Sequence, residues 1–187
     1  MKIWDGTPFP TVERKNACYG PDEPEDIEET KLIARSLDIP FHVIDLSKEY
    51  KIWVLDYFQS EYLAGRTPNP CVRCNRKMKF SFLLQKAREK QVHFDFFATG
   101  HYARTHFDPE TGRYLLKKGF DDRKDQSYFL FALTQQQLQH TLFPLGNMTK
   151  LEVRSIAKKL ELPVHSKAES QDFFGGSDYT LLFDKKS

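Results

Sequence analysis

Between Asp22 and Leu37, Ile27, Ile33, Ala34 and Leu37 recur at helical spacing behind an acidic first turn of Glu23, Glu25 and Asp26. Negative charge there suits a helix N-terminus, so the pattern predicts a helix over this stretch. Ile39 and Pro40 end it, and the apolar run Phe41 to Asp45 reads as a short buried strand. From about Ser47 a second helix carries Tyr50, Trp53, Val54, Tyr57 and Phe58 on one stripe. Turn formers fill Ala64 to Pro70. There Asn69 is placed to cap a third helix and Pro70 to occupy its first position, while Phe82, Leu83, Leu84 and Ala87 face inward further along. Phe94 to Thr99 reads as a second strand, running out into Gly100 and His101.

Helix and strand alternating in this way predict an α/β chain with parallel pairing. After Gly100 the character changes. Ala103 to Phe107 and Arg113 to Lys118 flank the turn Asp108 to Gly112 and predict a hairpin. From Lys124 onward the reading is helical. Thr149 and Glu152 form a capping box ahead of a helix whose buried face would be Val153, Ile156, Ala157 and Leu160. Asp184 to Ser187 read as a frayed end. The division expected is residues 1–103 for the α/β part and residues 104–187 for the hairpin and helical part. No glycine-rich loop stands between a strand and a helix, the N-terminal stretch to Pro24 is polar, and two strands make a marginal sheet. The sheet is therefore expected to lack its first strands.

The chain has 187 residues, 40% of them hydrophobic and 29% charged, with 16 Phe, 8 Tyr and 2 Trp. That supports an ordinary folded core and leaves a few aromatic rings for stacking on bases. A net charge of +2 means that any basic surface is local. No apolar run has the length of a membrane span, and no basic segment followed by an apolar stretch marks a secretory leader. Three cysteines, two of them in a Cys-x-x-Cys, suit a reducing compartment. The expected location is the cytoplasm, or the mitochondrion in a eukaryotic source.

That pair, Cys71 and Cys74, is the sharpest chemical feature. Three residues apart on a helix, the thiols share a face, and the helix start together with Arg73, Arg76 and Lys77 favours thiolate. A redox pair, half of a zinc or iron–sulfur site and a reactive nucleophile all remain open, beside a plain pair of half-buried cysteines. A closed zinc site needs four ligands, and Cys18 is the one other cysteine. Five of the six histidines stand isolated and suit structural or solvent-facing roles. The exception is His101, which follows Gly100 at the end of a strand where a parallel sheet receives ligands. There glycine admits a nucleotide to the backbone and His101 meets a phosphate, unless the segment is an ordinary turn. Lys124, Asp125 and Gln126 lie at a helix start beside Arg123, where Lys suits a phosphate and Gln a base edge. A solvated helix start fits them equally.

Taken together, Gly65 to Phe80, Ala98 to Ala103, Lys124 to Leu130, Phe143 to Gly146 and Glu169 to Asp172 resemble, in order, the motifs of the tRNA-specific 2-thiouridylase (MnmA/TrmU) family. The resemblance covers nearly the whole chain. It implies a partial PP-loop (adenine-nucleotide alpha-hydrolase-like) parallel sheet followed by a mostly helical tRNA-binding part. It also implies ATP-dependent sulfur transfer to C2 of the wobble uridine of tRNA by way of an adenylated uridine. The implied partners are tRNA and a sulfur-donor protein or sulfide, with no membrane. By the same resemblance, Cys74 matches the first catalytic cysteine, and Asn69, Pro70 and Cys71 match the stretch against the target base, where many members carry Asp at the position of Cys71. Gly100 and Met1 match the nucleotide pocket, and Lys124, Asp125 and Gln126 match tRNA contacts.

Two departures qualify the carry-over. The family's pyrophosphate loop would precede Met1, so ATP binding and enzymatic activity are expected to be weak or absent from these residues alone. The second catalytic cysteine should follow Ser170, Gln171 and Asp172, where the chain reads Phe173, Phe174 and Gly175. Cys71 then suggests a replacement, either in local thiol exchange with Cys74 or as co-ligand with Cys74 of an iron–sulfur cluster. A non-catalytic tRNA-binding remnant and a small metal or redox protein built on Cys71 and Cys74 stand as alternatives to the thiolase.

Overall fold

The computed structural model describes residues 1–7, 17–168, 172–176 and 178–183. The end at Asp184 to Ser187 and the motif residues Glu169, Ser170 and Gln171 lie outside the described residues. The backbone groups into two compact units, residues 1–74 with 167–187, and residues 75–166.

In the first unit, helix α1 (Glu23–Ser36) forms where the acidic turn predicts it. Its Glu23 carboxylate accepts the backbone N–H groups of Ile3 and Trp4 at 2.7 and 2.8 Å. Of the expected inward face, Ala34 is buried, Ile27 and Ile33 are half-buried and Leu37, at the end, is exposed. The strand expected over Phe41 to Asp45 does not form. It contracts to a single parallel bridge between Lys2 and Asp45, with Lys2 N–H on the Ile44 carbonyl and Leu46 N–H on the Lys2 carbonyl, both at 2.8 Å. A strand needs a neighbour along its length, and among the described residues this segment pairs with Lys2 alone.

The next helical run comprises α2 (Ser47–Tyr50), a wide π-wound stretch (Lys51–Leu55) and α3 (Asp56–Leu63). Tyr50, Val54 and Phe58 of the predicted stripe are buried, together with Leu55. Phe58 is the centre of an aromatic cluster, its ring centroid 4.9 Å from Phe173, 5.2 Å from Tyr179 and 5.5 Å from Tyr62. Aromatic rings at these separations gain from edge and offset contacts beyond the area they bury. α4 (Pro70–Arg73) then opens as predicted, with Asn69 Oδ1 accepting Val72 N–H at 3.0 Å.

The second unit contains the helical stretch that follows, π-wound over Cys74–Phe82 from its second residue and α-helical in α5 (Leu83–Glu89). Strand β1 (Phe97–Ala98) is two residues long, shorter than expected. Its partner is a parallel strand, β4 (Thr141–Leu142), within a region read as helical. Phe97 N–H reaches the His140 carbonyl at 2.8 Å and Thr99 N–H the Leu142 carbonyl at 3.1 Å. The parallel pairing gives the α/β character its concrete form. The hairpin is as predicted, with β2 (Ala103–Asp108) and β3 (Arg113–Lys118) paired from Ala103–Lys118 to Asp108–Arg113. Its turn closes on Asp108, whose carboxylate accepts the Thr111 hydroxyl at 2.6 Å, and on Gly112 at φ +65°.

Phe80, Ala103, Leu130, Leu133 and Leu138 form the core of this unit. A short 3₁₀ turn (Ser127–Leu130) and α6 (Gln135–Gln139) follow the hairpin. The capping box at Thr149 and Glu152 starts α7 (Lys150–Lys159) as read from sequence. The buried face expected for α7 is absent. No residue of the helix is buried, and Ile156 and Leu160 are 43% and 59% exposed. A capping box fixes a helix start by local hydrogen bonds, and the apolar period marks a face without supplying anything to cover it.

Candidate functional site

The thiols belong to the first unit. Asn69 caps the turn bearing Cys71 and Cys74, both half-buried and in no disulfide. Arg73 is turned to the preceding helical run: its Nε donates to the Trp53 carbonyl at 3.2 Å, and its guanidinium lies 5.2 Å from the Trp53 ring and 4.7 Å from that of Tyr57. Cation–π contact of this kind secures α4 against the helix carrying Tyr50. Tyr50 is fully buried, and its hydroxyl has no hydrogen-bond partner among the described residues. Burial pushes this phenol well above its ordinary range, with Cys74, Cys18 and Cys71 next among the groups acting on it.

Cys18 reaches that neighbourhood by backbone pairing. Its N–H donates to the Asp172 carbonyl at 3.1 Å, and Tyr19 N–H donates to the Phe173 carbonyl at 3.0 Å. Gly175 N–H closes the pairing on the Tyr19 carbonyl at 2.9 Å. The Tyr19 ring stacks on Tyr50, centroids 5.5 Å apart and planes 8° from parallel. Sequence reasoning treated Cys18 as a spare cysteine, since nothing in a linear chain links it to residues 71–74. Among the described residues no three His, Cys, Asp or Glu side chains stand where they could share a metal ion. Met1 is also in this unit, partly exposed, next to the Lys2–Asp45 bridge.

In the second unit, Gly100 and His101 follow β1. A Cβ added at Gly100 would stand 3.7 Å from Leu145 Cδ1, an ordinary contact, so packing within this unit does not require glycine there. His101 is buried, with Nδ1 2.8 Å from the Thr99 hydroxyl and its ring among Phe80 and Phe143. Burial, with Lys79 nearby, lowers its pKa to about 3, so the imidazole is neutral at physiological pH. It can offer a hydrogen bond to a phosphate but no charge.

Asp125 and Gln126 are engaged with backbone. The Asp125 carboxylate accepts the N–H groups of Gly119 and Ser127 at 2.9 and 3.2 Å. Gln126 Oε1 accepts Tyr102 N–H at 3.0 Å, and Gln126 N–H returns to the Tyr102 carbonyl at 2.9 Å. These bonds fix the turn that carries Lys124. Beyond it, Tyr128 and Phe131 are 64% and 65% exposed, with ring centroids 6.2 Å apart. Sequence reading reserved a few aromatics for base stacking without naming them. The available signal was their position beside Lys124 and Gln126 in one short segment. A cleft of about 500 Å³ lined by Phe80, Leu84, Arg88, Gln137 and His140 contains none of the candidate catalytic, nucleotide or tRNA residues.

Gly146, in the segment Phe143 to Gly146, has a steric purpose. A Cβ there would overlap the Ala103 carbonyl, and Gly146 O accepts Phe120 N–H at 2.8 Å. That segment therefore joins the hairpin base by close backbone approach.

The family described as "tRNA methyl transferase HUP domain" matches residues 1–174. A protein named tRNA-specific 2-thiouridylase MnmA from Endomicrobium trichonymphae is 51% identical over 183 residues, covering 97% of this chain and 51% of that protein. Proteins of the same name from Geotalea uraniireducens and Clostridioides difficile are 49% and 43% identical, each over 100% of this chain and 49% and 50% of their own length. The chain spans about half the length of these relatives. No helix among the described residues is long and apolar enough to cross a membrane.

Proposed function

The chain belongs to the tRNA-specific 2-thiouridylase family of PP-loop proteins, and from this we propose that it takes part in ATP-dependent transfer of sulfur to C2 of the wobble uridine of tRNA. The observation that carries the reading is the capped turn from Asn69 to Cys74, which holds two thiols on the first turn of a helix. Cys74 carries the sulfur as a persulfide accepted from a sulfur-donor protein or from polysulfide. Asn69, Pro70 and Cys71 lie against the target base, with Asn69 also fixing the helix start through Val72.

Gly100 admits the nucleotide to the backbone, and its lack of a packing role supports this use. His101 serves as a neutral hydrogen-bonding group there, and Met1 is assigned to the nucleotide by the family resemblance. ATP supplies the adenylation that makes the C2 oxygen a leaving group. Lys124 meets an RNA phosphate, Asp125 and Gln126 hold its turn and add the donors of the Gln126 side-chain amide, and Tyr128 and Phe131 offer stacking faces. A resident iron–sulfur cluster on Cys71 and Cys74 does not fit as well, because no three ligands are grouped for a metal among the described residues.

Grafting decides the matter. The chain is placed in the Endomicrobium protein in exchange for the segment it matches. This chimera should form 2-thiouridine on tRNA with ATP and a persulfide donor. The same chimera with Cys74→Ser should form none. Full thiolation by the Cys74→Ser chimera would sink the reading.

A further inference from the structure

We propose that Cys18 is the resolving thiol of this site: it attacks the persulfide on Cys74 and closes a Cys18–Cys74 disulfide as the terminal sulfur departs. The proposal rests on the sulfur-transfer reading above and adds a residue to it. The case is geometric. Residues 18 and 19 pair by three backbone hydrogen bonds with residues 172–175, the segment directly after Ser170 and Gln171 where the second catalytic cysteine of the family is absent. Tyr19, next to Cys18, stacks on Tyr50. The helix that continues from Tyr50 receives Arg73 at Trp53 and Tyr57, one residue from Cys74. The neighbour of Cys18 and the neighbour of Cys74, more than fifty positions apart in sequence, thus both dock on the helical run that carries Tyr50, Trp53 and Tyr57.

Exposure assigns the roles. Cys74 is half-buried, where a persulfide is shielded, and Cys18 is exposed, where solvent and reductant reach its thiol. In the step itself, the Cys18 thiolate attacks Sγ of Cys74. A bond forms between the two Sγ atoms, and the bond from Cys74 Sγ to the terminal sulfur breaks. The electron pair goes to that sulfur, which leaves as hydrosulfide, or as the sulfur bonded to C2 when uridine is its acceptor. The two cysteines are oxidised together to a disulfide, and the sulfane sulfur is reduced to the sulfide level. A dithiol reductant restores both thiols for the next cycle.

The experiment needs no tRNA. The reduced chain is treated with a cysteine persulfide donor, blocked with alkylating reagent and digested with trypsin without reduction. Cleavage after Arg66, Arg73 and Arg76 puts Cys71 and Cys74 on separate peptides, and cleavage after Lys15 and Lys31 isolates Cys18. The expected product joins the Cys18 peptide to the Cys74 peptide, with one hydrosulfide released per disulfide. Cys18→Ser and Cys18→Ala should each cut hydrosulfide release at least tenfold and leave Cys74 carrying one extra sulfur. A Cys71–Cys74 disulfide in the unsubstituted chain, or undiminished release in both variants, would overturn the proposal. Those outcomes leave the thiolase reading intact. Conversely, loss of thiolation in the grafted enzyme alongside a normal Cys18–Cys74 product would fault that reading and not the thiol pairing.

Discussion

The two units of this chain are held by different means. In the first, ring meets ring: Phe58 contacts Phe173, Tyr179 and Tyr62, and Tyr19 stacks on Tyr50. In the second, side-chain amides and carboxylates bind backbone. Gln135 bridges both the N–H and the carbonyl of Tyr114 at 2.8 and 3.0 Å, Gln137 donates to the Phe80 carbonyl at 2.8 Å, and Asp121 accepts Lys150 N–H at 3.1 Å. Aromatic area gives stabilisation without demanding one register, whereas an amide tether is satisfied in one geometry only. Polar residues that look like surface in a sequence can thus be parts of the frame.

The contrast can be broken by substitution. Phe58→Ala should cost about 4 kcal/mol, the range for emptying an aromatic core site, read by urea unfolding. A loss below about 1 kcal/mol would mean that the ring cluster does not carry the first unit. Gly146→Ala should cost about 3 kcal/mol, because a Cβ meets the rigid Ala103 carbonyl. Hydrogen exchange should quicken in the hairpin residues 103–118, and unaltered exchange there would remove the close approach as a structural element.

Acid provides the third test. His101 is neutral in the folded state down to about pH 3, whereas in the unfolded chain it takes up a proton below about pH 6.5. Between those limits the unfolded state binds more protons, so the stability contributed by the neutral ring is complete above pH 6.5 and is lost as pH falls toward 3. His101→Gln removes this dependence. The gap in unfolding midpoint between the two proteins should therefore shift in favour of the variant between pH 7 and pH 4. A constant gap would place a solvated histidine at that position. The smallest effect is expected from Thr149→Ala, about 1 kcal/mol for a lost cap on a helix with no buried residue.

Features set by neighbours in sequence were readable in advance. Asn69 and Pro70 announced a helix start, Thr149 and Glu152 a capping box, and Asp108 to Gly112 a hairpin turn, because each is satisfied within a few residues. Features needing a distant partner were not. Phe41 to Asp45 has the composition of a strand, but its described pairing partner is Lys2 alone. Thr141 and Leu142 sit in a helical-looking stretch and become a strand because Phe97 and Ala98 pair with them. The site divides in the same way. Cys71 and Cys74 were visible from spacing, while Cys18 emerged through its pairing with Asp172 and Phe173.

The wide winding from Cys74 to Phe82 alters how this helix should be compared among relatives. Asn75 and Phe80, five apart, are both buried, a spacing that a π-wound turn places on one side. Such a stretch is what remains when a helix absorbs one inserted residue without shifting what flanks it. Related chains should therefore vary in length by single residues between Asn75 and Ser81 more readily than elsewhere in the helix. A one-residue deletion engineered there would tighten the winding and rotate everything beyond it, an inherited gap closed by hand.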